Sequence, residues 1–180
     1  MKKVAVSFII LLFLLILAEQ IFFNKKELAN TEEDLYGSGL MVGEKAPEFS
    51  LEQLDGSPLS LKDLKGKKVL VNFWASWCEP CIKEMPDIQK VYDEYKEDGN
   101  IEILAINLTI GKETPEKARA FVEEMGLTFP VLLDVGGEIQ KLYQVIPIPT
   151  SFFIDEDGVI RSVHQGPMTE EYIKKEFNRL

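Results

Sequence analysis

The chain has 180 residues, 46% of them hydrophobic and 28% charged, and it carries only two cysteines, Cys78 and Cys81. That length allows one globular domain of about 140 residues beside an N-terminal segment, and a domain of this size buries a core without disulfide staples. Residues 1–30 hold four lysines and two glutamates, so of 20 basic and 30 acidic residues 16 and 28 lie beyond them; the resulting charge of −12 excludes nucleic acid and an anionic membrane surface as partners of the domain.

Lys2 and Lys3 followed by the apolar run from Val4 form the basic and hydrophobic regions of a secretory signal. Counted through Phe23 the run has about 20 residues, and at about 1.5 Å per residue a helix of that length spans the bilayer hydrocarbon. A cut after Ala18 would put Ile16 at the third position back, which is not a small residue, so residues 1–23 read as an uncleaved signal anchor. Lysines flank both ends of the run, and the basic start favours an N-terminus inside and a domain outside. Residues 24–42 are polar and include Gly37-Ser38-Gly39, the composition of a flexible tether. The folded domain is expected over residues 43–180.

Within it, 48–51 and 58–61 flank an Asp55-Gly56 turn and predict a hairpin. The run 69–74 is apolar on both faces, the pattern of a central strand covered on two sides. It delivers Trp77-Cys78-Glu79-Pro80-Cys81 at its C-terminal end. Two cysteines separated by two residues at a helix start read as a redox dithiol, because helix N–H groups and the helix dipole favour the thiolate of the first sulfur. Pro80 suits a first helical turn, where its missing N–H is not needed. Two cysteines and a distant His164 do not supply the four ligands of a structural zinc site, and a bridge across so short a loop would remove little unfolded-state entropy. Cys78 is expected to be the exposed attacking thiolate and Cys81 the deeper, resolving thiol, with neither metal nor organic cofactor required.

Met85, Ile88, Tyr92 and Tyr95 recur at three and four and predict a helix to about residue 97, kinked at Pro86. A buried strand over 101–108 follows, then a helix from Thr114-Pro115 to Met125 stopped by Gly126. A short strand at 131–133, a short helix at 138–143, strands at 151–154 and 159–164, and a last amphipathic helix from Thr169 complete the chain. Asn107-Leu108-Thr109 spells a glycosylation sequon, but its place at a strand end makes it an ordinary buried segment. The fold class is α/β, a central mixed sheet of about five strands flanked by helices.

The run 69–81, with Glu84, Pro86 and the later Ile148-Pro149-Thr150, resembles the thioredoxin superfamily, most closely its ResA and TlpA-like group of membrane-anchored thiol-disulfide oxidoreductases. Ala46-Pro47-Glu48-Phe49 is similar to the first strand of redoxin-type domains, peroxiredoxins included, and the 109–113 loop with the helix after it matches an insertion of the ResA-like group. The resemblance implies a cis peptide before Pro149, with Pro147 the competing candidate, and a substrate-binding surface of Trp77, Glu79, Pro80, Ile148 and Pro149 in which the Ile148 backbone pairs with an extended substrate. Thioredoxins carry a buried aspartate six residues before the first cysteine; Asn72 stands there and cannot accept the proton of Cys81. Glu84, three residues after Cys81 on the same helix face, is the expected replacement, with a carboxyl that titrates above its ordinary value if buried. An exposed first-turn glutamate at the helix dipole is the competing reading.

Glu79 and Glu84 place negative charge near the pair, with no Lys, Arg or His inside the loop, which disfavours the thiolate and makes the dithiol an electron donor. The resemblance implies apocytochrome c as the disulfide substrate and a membrane thiol-disulfide carrier as the electron donor. A related anchored oxidoreductase for spore or envelope proteins is the alternative. A peroxiredoxin would place T-x-x-C where this chain has Ala75, and a Sco-type copper module would use a wider C-x-x-x-C pair.

Overall fold

The computed structural model describes residues 42–180 together with Gln20 and Leu40, and residues from Leu40 to Leu180 form one compact unit. Apart from Gln20, the expected signal anchor lies outside the described residues, as does most of the tether. Among the described residues no helix is long and apolar enough to cross a membrane.

Strands β1 (Ser50–Glu52) and β2 (Pro58–Ser60) pair antiparallel as a small separate sheet, the predicted hairpin. The main sheet contains β3 (Lys68–Trp74), β4 (Ile101–Asn107), β5 (Val131–Leu133), β6 (Thr150–Ile154) and β7 (Ile160–Gln165), in the order β5-β4-β3-β6-β7. β3, β4 and β5 run parallel, whereas β6 and β7 are antiparallel to their neighbours. The helices are α1 (Glu79–Tyr95), α2 (Pro115–Met125), α3 (Glu138–Leu142) and α4 (Glu170–Phe177).

Alternation along the central strand divides the core in two. Leu70 and Trp74 join Met85, Ile88, Phe153, Ile173 and Phe177 on the face covered by α1 and α4, with Phe121, Val122 and Met125 of α2 packed against the same cluster. Val69, Val71 and Phe73 point the other way, toward Phe49, Leu61, Leu64, Tyr143 and Phe152. This second layer is closed by the hairpin region, a one-turn helix at Leu61–Leu64 and Tyr143, whose hydroxyl donates to the Pro47 carbonyl at 2.7 Å. Asn72 therefore falls on the α1 face of a strand whose every other residue from Val69 to Trp74 is apolar.

The capping chemistry sets the helix boundaries. Thr114 accepts from the Lys117 N–H at the start of α2, Pro115 takes its first position, and Gly126 ends it at φ 64°, a left-handed conformation that glycine adopts without steric cost. Helix α1 begins at Glu79, two residues before Cys81, and runs unbroken through Pro86 to Tyr95. Each parallel strand so delivers its following loop to the same end of the sheet, where β6 also begins.

Candidate active site

Cys78 is the N-cap of α1, with extended backbone, followed by Glu79 and Pro80 in the first turn. Its sulfur is bonded to Cys81, the two Cα atoms lying 5.2 Å apart, and the Cys81 N–H points at Cys78 Sγ from 3.3 Å. The first sulfur thus receives a free helix N–H, the arrangement that stabilises a thiolate once the bond is reduced. Cys78 Sγ also lies 3.6 Å from the Ile148 carbonyl oxygen, and the Ile148–Pro149 peptide is cis. Pro147, the competing candidate, is trans. One expectation is corrected here: Cys78 is only 5% exposed in the disulfide form, because the Ile148–Pro149 loop lies against its sulfur. Cys81 is fully buried one turn deeper.

The competing reading of Glu84 as an exposed first-turn residue is also excluded. Its side chain is 1% exposed and lies on the buried stripe of α1 with Cys81, Met85, Ile88 and Val91. One carboxylate oxygen accepts from Asn72 Nδ2 at 2.8 Å and the other from the Met168 N–H at 2.9 Å. Burial raises its pKa to about 7, against the pull of those two hydrogen bonds, which favour the ionised form. Asn72 also donates to Ser151 Oγ at 2.9 Å, its directly opposed residue on β6. The Asn72 Oδ1 and Trp74 Nε1 atoms, both buried, have no hydrogen-bond partner among the described residues. A buried carboxyl that changes protonation near neutral pH, one helical turn from the resolving cysteine, can hold or release a proton during disulfide exchange.

The charge around the loop differs from the sequence expectation in one respect. Glu79 forms an exposed pair with Lys83 at 2.9 Å, which lowers its pKa and offsets its charge, and Lys112 lies 4.2 Å above the Trp77 ring. Of the two, Glu84 is the carboxyl with no lysine beside it among the described residues. Trp77, adjacent to Cys78 in the chain, is 48% exposed, and Ile146, two residues before Ile148, is 88% exposed.

The AhpC/TSA family profile matches residues 42–163. The chain belongs to the AhpC/TSA family. Among its relatives, the thiol-disulfide oxidoreductase ResA of Bacillus thuringiensis subsp. konkukian is 42% identical over 179 residues, covering 97% of this chain and 98% of the relative. StoA from Bacillus subtilis superposes with a TM-score of 0.65 at 37% identity, covering 72% of this chain and 96% of StoA. A thiol:disulfide interchange protein DsbE from Chlorobium tepidum gives 0.71 at 32% identity, covering 78% and 97%. This AhpC/TSA member is a thioredoxin-fold thiol-disulfide oxidoreductase of the ResA, StoA and DsbE type. Within the family's redox loop it has Ala75, not a hydroxyl residue, three positions before Cys78, and the Ala75 carbonyl accepts from the Cys78 N–H.

Sequence reasoning missed a second buried carboxylate. Glu113, 3% exposed, accepts from the Ser76 N–H at 3.1 Å, from Ser76 Oγ at 2.8 Å and from Asn107 Nδ2 at 2.9 Å. It lies in the 109–113 loop, which the sequence marks only as an insertion; its position next to the Thr114 cap was the one local hint. Asn107 of the sequon is fully buried, and its Oδ1 accepts from Thr109 Oγ. The half-buried His164 ring lies tilted against Tyr172, with centroids 4.6 Å apart.

Proposed function

We propose that this oxidoreductase works as a disulfide reductase outside the cytoplasmic membrane, anchored by residues 1–23, and that its substrate is the disulfide between the haem-attachment cysteines of apocytochrome c. The observation that carries the reductive direction is the buried Glu84 carboxyl one helical turn from Cys81, which in its ionised form repels a neighbouring thiolate and so works against the reduced, electron-rich pair. The substrate assignment is supported by the resemblance to the ResA group and by a relative of that name aligned over almost the whole chain.

In the reduced protein the Cys78 thiolate attacks one sulfur of the substrate disulfide, forming a mixed disulfide and expelling the substrate's other sulfur as a thiolate that takes a proton. The substrate backbone lies along Ile148, beside the Trp77 ring. Glu84 then accepts the Cys81 proton, and the Cys81 thiolate attacks Cys78 Sγ. That step closes the Cys78–Cys81 bond and releases the second substrate sulfur. Two electrons have passed from the dithiol to the substrate, with the two cysteine sulfurs as the only redox centre. A membrane thiol-disulfide carrier restores the dithiol.

Cys81→Ala removes the resolving thiol and stops the reaction at the mixed disulfide. Mass spectrometry of the species trapped on Cys78 in cells is expected to find a c-type cytochrome precursor. Capture only of spore-coat or cell-wall proteins would replace this substrate with the alternative one.

A further inference from the structure

We propose that Glu113 is a positioning residue for the exchange reaction, and that the connection between β4 and α2 is the element that holds the redox loop in its reactive shape. Two adjacent residues of this connection and one from the helix it leads into meet the end of β3 and two residues of the redox loop. Phe121 of α2 packs on Trp74 with ring centroids 5.1 Å apart, Glu113 grips Ser76 through both its amide and its hydroxyl, and Lys112 covers the ring of Trp77. A fourth tie runs between the backbones, where the Leu108 N–H donates to the Trp74 carbonyl at 2.9 Å. The clamp is braced from behind: Asn107 donates to the same Glu113 oxygen that receives the Ser76 N–H, and the Glu113 N–H donates to the Ile110 carbonyl.

Ser76 lies two residues before Cys78 and one before Trp77. Without Glu113 its N–H would be a half-buried donor with no partner in the loop, and the turn would be free to relax. The only other backbone bond within the turn before the helix joins Cys78 N–H to the Ala75 carbonyl. None of the bonds to Glu113 involves a sulfur, so the grip on Ser76 does not depend on the redox state. Disulfide exchange needs the attacking sulfur in line with the bond it breaks, and misplacement by about 1 Å can cost on the order of a hundredfold in rate. A carboxylate that fixes the residue ahead of the nucleophilic loop therefore acts on rate through placement, not by proton transfer.

Reach and charge are separable at this site. Glu113→Gln keeps the reach: its oxygen can accept from Ser76 N–H and Asn107 Nδ2, while its NH₂ group donates to a rotated Ser76 hydroxyl. Glu113→Asp keeps the charge but draws the oxygens back by one methylene. The reduced proteins are reacted with oxidised glutathione, a small disulfide, so that the outcome is independent of which protein is the natural substrate, and at a temperature below the melting transition of every variant. The expected result is a second-order rate constant about tenfold or more lower in Glu113→Asp and within about twofold of wild type in Glu113→Gln. The pH midpoint of Cys78 alkylation should be unchanged in both. Ser76→Ala, which removes one of the two bonds at a half-buried position, should slow the reaction about threefold and keeps the test open if Glu113→Asp does not fold. A role confined to stability would lower the melting temperature of Glu113→Asp and leave its rate at the wild-type value; that result overturns the proposal. So does a Glu113→Gln variant as slow as Glu113→Asp, or a Ser76→Ala variant as fast as wild type.

Discussion

Replacing Glu84 by Gln removes one ionisation and keeps the shape of the side chain. In the folded protein the carboxyl titrates at about 7, whereas an unfolded chain restores the ordinary value of 4.5. At roughly 1.4 kcal/mol per pH unit that difference amounts to about 3 kcal/mol. The sign follows from the raised pKa. Below pH 4.5 the group is neutral in both states and contributes its full share of stability. Between pH 4.5 and 7 the unfolded chain ionises while the folded one does not, so stability is lost across that window, and the loss levels off above 7. Glutamine has no such loss. Its NH₂ group would face Asn72, whose Oδ1 has no partner among the described residues, and an end-for-end turn of that amide supplies the acceptor. Urea unfolding at pH 4, 6 and 8 should therefore show the stability of Glu84→Gln relative to wild type rising by about 3 kcal/mol over the series. Because glutamine cannot take the Cys81 proton, disulfide exchange at neutral pH should also slow by about a hundredfold, and the pH profile of Cys78 alkylation should shift. A constant stability offset at all three pH values would refute the burial argument. An unaltered alkylation profile would remove Glu84 from the mechanism.

Two further outcomes test other parts of the structure. Phe153→Ala empties a fully buried site between the rings of Tyr172 and Phe177 and should cost about 3 to 5 kcal/mol in urea unfolding; a loss under about 1 kcal/mol would mean that α4 is not packed as described. Trp77→Ala removes a half-exposed ring at the edge of the disulfide, so KM for a protein disulfide should rise severalfold while stability changes by less than about 1 kcal/mol. An unchanged KM would place the substrate elsewhere.

Much of this protein is legible locally. The strand before the dithiol, the start of α1 at Cys78 and the Thr114-Pro115 and Gly126 boundaries of α2 follow from apolar periodicity and capping, which depend on neighbours within one or two turns. Glu84 is legible too, since it falls on the same stripe as Cys81 and Ile88 and so had to be carried into the core if the helix packed at all. Glu113 was not, because a carboxylate in an irregular loop has no periodicity to betray its burial. Cys78 was expected to be open to solvent, and the loop that covers its sulfur comes from a segment 70 residues later.

The sequence by itself determined the order of elements, the site of the dithiol at a helix start and the chemistry that two sulfurs and a nearby glutamate can perform. Those properties are set by residue type and by spacing along one helix or strand. Tertiary structure alone decided the pKa of Glu84, which the exclusion of water by the surrounding core raises and the hydrogen bonds from Asn72 of β3 and Met168 of the loop before α4 partly pull back. It also decided which residues grip the redox loop, since Ser76 and Glu113 are 37 positions apart and meet only because β3 and β4 run parallel and in register, delivering both loops to the same end of the sheet.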